Sequence, residues 1–149
     1  MVLFSPTDPE SLKKRYELIL TSIGEGVYGL SKDGKTTFVN PAAERMTGWS
    51  EGDLLGKVVH EFHHHSHEDG SHYPVHECAV YQTVQDGKAR EVANEVFWRK
   101  DGSNFPVEYI ATAIELEGEI VGAVIVFKDI SERRSADHAL KTALLQVER

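Results

Sequence analysis

Two Asp-Gly pairs, Asp33-Gly34 and Asp101-Gly102, each stand between short runs of β-forming residues, and they constrain the fold more than any other feature of the chain. An Asp-Gly pair favours the left-handed backbone of a tight turn, so each reads as the tip of an antiparallel hairpin. The first joins 27–31 to 36–39 and the second joins 91–100 to 103–116. Leu116-Glu117-Gly118-Glu119 turns the chain once more into 120–127, the most apolar run and hence a central strand. Between the two strand groups the pattern is helical or irregular. Asn40-Pro41 opens a short helix over 42–47, stopped at Gly48, and Ser50-Glu51-Gly52-Asp53 caps a second turn through Leu54-Leu55. Residues 60–76 are polar, carry Gly70 and Pro74, and read as a long loop of the kind that is functional or mobile. A helix over 77–85 follows, with Val80, Tyr81 and Val84 on one face.

Amphipathic helices are expected at both ends. Asp8-Pro9-Glu10 gives a cap, a first-turn proline and a first-turn acid, and Leu12, Tyr16, Ile19 and Ile23 then form one stripe, ended by Gly24-Glu25-Gly26. After Asp129-Ile130-Ser131 the helical period returns with Leu140, Ala143, Leu144 and Val147. Neither stripe can bury itself alone, so Leu12, Tyr16, Ile19 and Ile23 with Leu140, Leu144 and Val147 suggest a parallel homodimer. The sum is an α+β domain: one antiparallel sheet, helices on one face, and a helix at each end. The division expected is 1–24 for the first helix, 25–130 for the domain, and 131–149 for a linker helix.

Composition narrows the function. Lys plus Arg is 16 against 24 Asp plus Glu, a net charge of −8, which repels a phosphate backbone and argues against direct nucleic-acid binding. The apolar run 121–127 is too short to cross a bilayer, and the first residues lack a basic start and a long apolar stretch. The single cysteine, Cys78, excludes an intramolecular disulfide or a four-cysteine cluster. A reduced, cytoplasmic location is the expectation.

Gly26-Val27-Tyr28-Gly29-Leu30, then Asp33-Gly34, then 38–49 (Phe-Val-Asn-Pro-Ala-Ala-Glu-Arg-Met-Thr-Gly-Trp) occur in an order that resembles the PAS sensory family. Asp53-Leu54-Leu55-Gly56-Lys57, 97–103 and the closing Phe127-Lys128-Asp129-Ile130-Ser131-Glu132-Arg133 extend the resemblance over roughly residues 16–134. It implies a PAS fold, with a five-stranded antiparallel sheet cupping a ligand cavity. It also implies that Asp129, Ile130 and Ser131 relay a signal to an output helix, where the Ser131 hydroxyl in place of the common Thr is available to cap. The tail 139–149 is similar to linkers leading to the ATPase modules of transcription activators, to histidine kinases or to cyclases. A non-catalytic sensor in a two-component or transcription-regulating protein is therefore implied.

Seven of the eight histidines lie in residues 60–76: His60, His63, His64, His65, His67, His72 and His76, with Cys78 just beyond. Imidazole and thiolate are donors for Zn, Ni, Cu or Fe. On a helix His60/His64 and His63/His67 would be i, i+4 pairs, with Cys78 and His76 closing the site. The bland alternatives are a solvated histidine-rich loop and a set of imidazoles titrating together. Some PAS sensors hold haem from the helix before the third strand, where this chain offers His76, Cys78 and Tyr81. The Asn-Cys-Arg-Phe-Leu-Gln motif of the flavin-binding branch is absent, so flavin is not expected. Tyr81 and Trp98 are candidate cavity aromatics, although packing is the commoner role.

Other chemistry has little to rest on. Gly24-Glu25-Gly26-Val27-Tyr28-Gly29 spells GxGxxG, but a helix precedes it and a strand follows, the reverse of a dinucleotide site. An ion-dependent enzyme in the histidine segment would need Glu68 or Glu77 beside an open coordination position. A pure dimerisation module with a filled core is the remaining rival.

Overall fold

The computed structural model describes residues 24–147, together with Pro9 and Leu18. The Leu12, Tyr16, Ile19 and Ile23 stripe lies outside the described residues. Strands β1 (Gly26–Ser31) and β2 (Thr36–Val39) are followed by the short helices α1 (Pro41–Thr47), α2 (Glu51–Leu54) and α3 (His60–His63). A 3-10 turn (Val75–Glu77) and α4 (Ala79–Asp86) lead to β3 (Arg90–Trp98), β4 (Asn104–Leu116) and β5 (Glu119–Asp129), and α5 (Ser131–Val147) closes the order. No described helix is long and apolar enough to cross a membrane.

The five strands form one sheet in the order β2-β1-β5-β4-β3, every pair antiparallel. Both Asp-Gly hairpins form where expected: Gly34 (φ 81°) and Gly102 (φ 89°) adopt the left-handed backbone that a Cβ disfavours. The apolar run of β5 occupies the centre, as its composition requires. One joint that turn chemistry does not specify is β1 against β5, in register from Gly26 opposite Phe127 to Ser31 opposite Gly122. Asn40 secures the other side of β1. Its amide oxygen accepts from the Val27 N–H (2.8 Å) and the Ala43 N–H (2.9 Å), capping α1, while its amide nitrogen donates to the Glu25 carbonyl (3.0 Å).

Period-2 alternation turns Phe105, Val107, Tyr109 and Ala111 of β4, and Ala123, Ile125 and Phe127 of β5, to the face that meets Ala43, Leu54, Val59, Val80 and Val84 from the helical segment. The opposite face leaves Ile110 and Ile114 exposed. At the end of β5 the Ile130 N–H donates to the Pro106 carbonyl (3.0 Å), and Ile130 is buried. Contrary to expectation, the Ser131 hydroxyl is not the cap of α5. The Asp129 carboxylate caps α5 by accepting from the Ser131 N–H (2.9 Å), and the Ser131 hydroxyl donates to the same oxygen. A fixed negative charge beside the first turn complements the helix dipole better than a hydroxyl does. Arg133 then pairs with Glu108 of β4 (2.7 Å), while Leu140, Leu144 and Val147 stay exposed.

Residues 60–76 are more ordered than the long loop expected. Buried Val59 and His63 anchor the turn of α3, and a third Asp-Gly turn, at Asp69-Gly70, closes a miniature hairpin in which Ser66 bridges His72. The helix expected over 77–85 is also broken: Cys78 is extended (φ −70°, ψ 130°) between the 3-10 turn and α4.

Gly122 reports on the β1–β5 joint. A Cβ there would fall inside van der Waals contact with the Leu30 carbonyl, a backbone atom that cannot swing away. Gly122→Ala is expected to destabilise the domain by ~1–3 kcal/mol, read as a lower urea midpoint; an unchanged midpoint would contradict this register.

Candidate functional site

The histidines separate by burial. His60 and His64 lie one helical turn apart, the His64 N–H donating to the His60 carbonyl (3.2 Å) at the end of α3. Both side chains are buried, their ring centroids are 5.2 Å apart, and the extended backbone at Cys78 brings its thiol beside them. One ligand atom from each of His60, His64 and Cys78 lies within 4.8 Å of the other two. Ligand atoms around a tetrahedral zinc ion sit roughly 3.3–3.8 Å apart, from metal–ligand lengths of about 2.0–2.3 Å. A modest closing of the three side chains reaches that spacing.

The second nitrogen of each ring is already committed. His60 Nε2 lies 2.7 Å from the Tyr73 carbonyl; because a carbonyl only accepts, Nε2 carries the proton, and Nδ1 is left buried without a hydrogen-bond partner. His64 Nε2 lies 2.8 Å from Glu95 Oε1, and its Nδ1 lies 3.3 Å from Cys78 Sγ. A carbonyl and a carboxylate behind two imidazoles are the usual outer partners that orient metal-bound histidines. Burial pushes the Cys78 thiol up, but facing His60 and His64 pull it down further, to about 6. Burial opposes charge on His64, yet Cys78 and Glu95 on either side of the ring raise it above its ordinary value. The arrangement therefore favours a thiolate, the form of cysteine that binds metals.

Glu95 is the residue that sequence reasoning missed. The pairing of β3 with β4 slips between Val92 and Glu95, and such a bulge re-aims the side chains beside it. The carboxylate accepts from His64, from Tyr73 Oη (2.8 Å) and from Tyr109 Oη (2.7 Å). Burial alone would raise its pKa; His64, with the Tyr109 and Tyr73 hydroxyls, instead holds it well below the usual carboxylate range. An acid in a polar stretch of strand reads as solvent-facing, so only the bulge reveals it.

The remaining candidates lie elsewhere. His63 is buried among the rings of Phe97 (4.4 Å), Tyr28 (5.0 Å) and Phe127 (6.4 Å), where burial, with His64 and His60 nearby, pushes its pKa well down. His65 stacks on Trp98 and His67 on Tyr73. His72 and His76 are exposed, so the His63/His67 pair and the closure by His76 do not form: α3 ends at His63, and His76 sits on the outer side of the 3-10 turn. Glu68 and Glu77 are exposed and outside the three-residue cluster.

A cavity of about 220 Å³ adjoins the cluster, with His60, His64 and Cys78 in its wall and Tyr28, Leu30, Val80, Tyr81 and Val84 around it. Tyr81 thus lines the cavity. Trp98 does not: its indole N–H donates to the Ser66 carbonyl (2.8 Å), which holds the ring against the miniature hairpin. The volume lies below the roughly 300–1,000 Å³ that drug-sized ligands occupy, and haem is larger still.

Comparison with known proteins agrees with this architecture. Residues 24–132 match the family described as PAS domain. The chain is 32% identical over 123 residues to the probable diguanylate cyclase DgcE of Escherichia coli (strain K12), covering 82% of this chain and 11% of that protein. It is 25% identical over 130 residues to the signal transduction histidine-protein kinase AtoS of the same organism, covering 85% of this chain and 20% of that one. The chain therefore spans only a minor part of either relative. The crystal structure of the PAS domain of an HTR-like protein from Haloarcula marismortui superposes with a TM-score of 0.63 at 22% identity, over 81% of this chain and 93% of that one, a likeness of fold. The match running from the start of β1 into α5 takes in the whole sheet and its covering helices, and the chain belongs to the PAS domain family.

Proposed function

We propose that this chain is a non-catalytic sensory domain that responds to a transition metal held by His60, His64 and Cys78, and relays that occupancy through α5 to an output module. The observation carrying the reading is the convergence of one ligand atom from each of three buried residues, together with a His60 Nδ1 that is left without a hydrogen-bond partner. A buried polar atom without a partner costs about 1–3 kcal/mol, and a coordinated ion removes that cost. Histidine and thiolate together suit zinc or copper better than harder cations. The kinase and cyclase relatives support an output module beyond this segment, and a buried free thiol suits a reducing, cytoplasmic compartment. The exposed Leu140, Leu144 and Val147 on α5 support pairing with a second helix, a homodimer being the simplest arrangement.

The relay runs through Glu95. Ligation at His64 Nδ1 polarises the ring and tightens its Nε2–H bond to Glu95, which also holds Tyr109 of β4. Glu108, the residue before it, is paired with Arg133 on α5, and Ile130 is tied to the same strand through Pro106. Metal binding shifts the population between two settings of β4 against α5 only to the extent that it binds one of them better.

Untagged protein purified without chelator is expected to carry or take up one metal ion per chain, by elemental analysis. His60→Ala and Cys78→Ser should lose it, while His72→Ala and His76→Ala should keep it. Uptake that survives loss of Cys78 would refute the site. For the relay, hydrogen exchange should slow in β4 and in the first turn of α5 when zinc is added, and Glu95→Gln should bind zinc but lose that protection. Equal protection in Glu95→Gln would remove Glu95 from the path.

A further inference from the structure

We propose that the metal held by His60, His64 and Cys78 keeps a fourth coordination position open to the adjoining cavity, and that a small exogenous donor with an apolar body, of the size of an aliphatic thiol or an imidazole, completes the coordination. This deepens the metal reading above and rests on it. Among the described residues the cluster has three ligand-bearing members and no fourth. Glu95, the carboxylate bonded to His64, has its oxygens occupied by His64, Tyr73 and Tyr109, so it stands behind a ligand rather than beside the ion. Tetrahedral metals with three protein ligands fill the last position with water or another small donor.

The cavity determines which donor that is. His60, His64 and Cys78 share a wall with Leu30, Val80 and Val84, so the space in front of the ion is bounded mainly by aliphatic groups. A single water on the ion would leave most of this largely apolar wall uncovered, even with Tyr28 and Tyr81 in the wall as polar neighbours. A donor atom carried on an apolar body satisfies the ion and fills the cavity together. At about 220 Å³ the space exceeds the roughly 150 Å³ engineered cavity that accepts benzene, so a molecule of five to eight heavy atoms is the right scale. Asp33 and Glu61, both exposed, stand at the mouth, which disfavours a donor with a further negative charge.

The test uses untagged protein loaded with Co²⁺, whose visible bands report coordination number and whose charge-transfer band reports a thiolate ligand. Titration with 1-propanethiol and, separately, with imidazole is expected to shift the visible bands saturably while cobalt stays with the protein by elemental analysis. Tyr81→Trp, at a half-buried wall position that tolerates bulk, should keep the thiolate band and weaken both donors at least tenfold; Val84→Phe serves as a second filling variant. Failure to take up Co²⁺ would overturn the metal reading and this inference together. Uptake with the thiolate band present but no shift from either donor would overturn this inference alone, as would loss of cobalt into the filtrate.

Discussion

The Glu95 carboxylate is the point at which the helical segment and the sheet become one structure. It accepts from His64 at the end of α3, from Tyr73 beyond the miniature hairpin, and from Tyr109 on the central part of the sheet. A half-buried carboxylate is costly unless its lone pairs are met, and here three donors meet them. Removing it would leave three donors without their partner, each worth about 1–3 kcal/mol if it stays buried. That fixed point sets the His64 ring directly, and it holds the hydroxyl of Tyr73, whose carbonyl meets His60.

The histidine segment shows how burial assigns different roles to one residue type. His63 is packed among aromatic rings and acts as core, and its depressed pKa follows from burial first. His60, at the start of the same short helix, and His64, at its C-terminal cap, each use Nε2 to reach a protein acceptor, and the Nδ1 of His64 faces Cys78. His72 and His76 lie in solvent. The carboxylate behind His64 and the carbonyl behind His60 are the features that separate a ligand-ready pair from imidazoles on a surface.

Much of the sheet was legible because its turns are written in residues with a mechanism. Asp33-Gly34 and Asp101-Gly102 need left-handed backbone, and alternation along 103–116 names the buried face. The His60/His64 spacing and the nearby Cys78 were legible for the same reason, since helical geometry is local. What escaped is non-local or irregular. Glu95 acts through a bulge that no local pattern announces, and Cys78 breaks a helix without a proline or glycine to mark the break. Trp98 was read as a cavity aromatic, but its N–H needed an acceptor and found the Ser66 carbonyl. The pairing of β1 with β5, whose partners lie roughly ninety to a hundred residues apart, is written in no turn and was not anticipated.

The central claim is that two imidazoles and one thiolate of this chain share a metal ion. X-ray absorption at the metal edge of zinc-loaded protein reads that shell directly. The account predicts one sulfur at about 2.3 Å together with nitrogen scatterers at about 2.0–2.1 Å, with the outer-ring scattering of two imidazoles. A shell of oxygen and nitrogen alone, without sulfur, would contradict it.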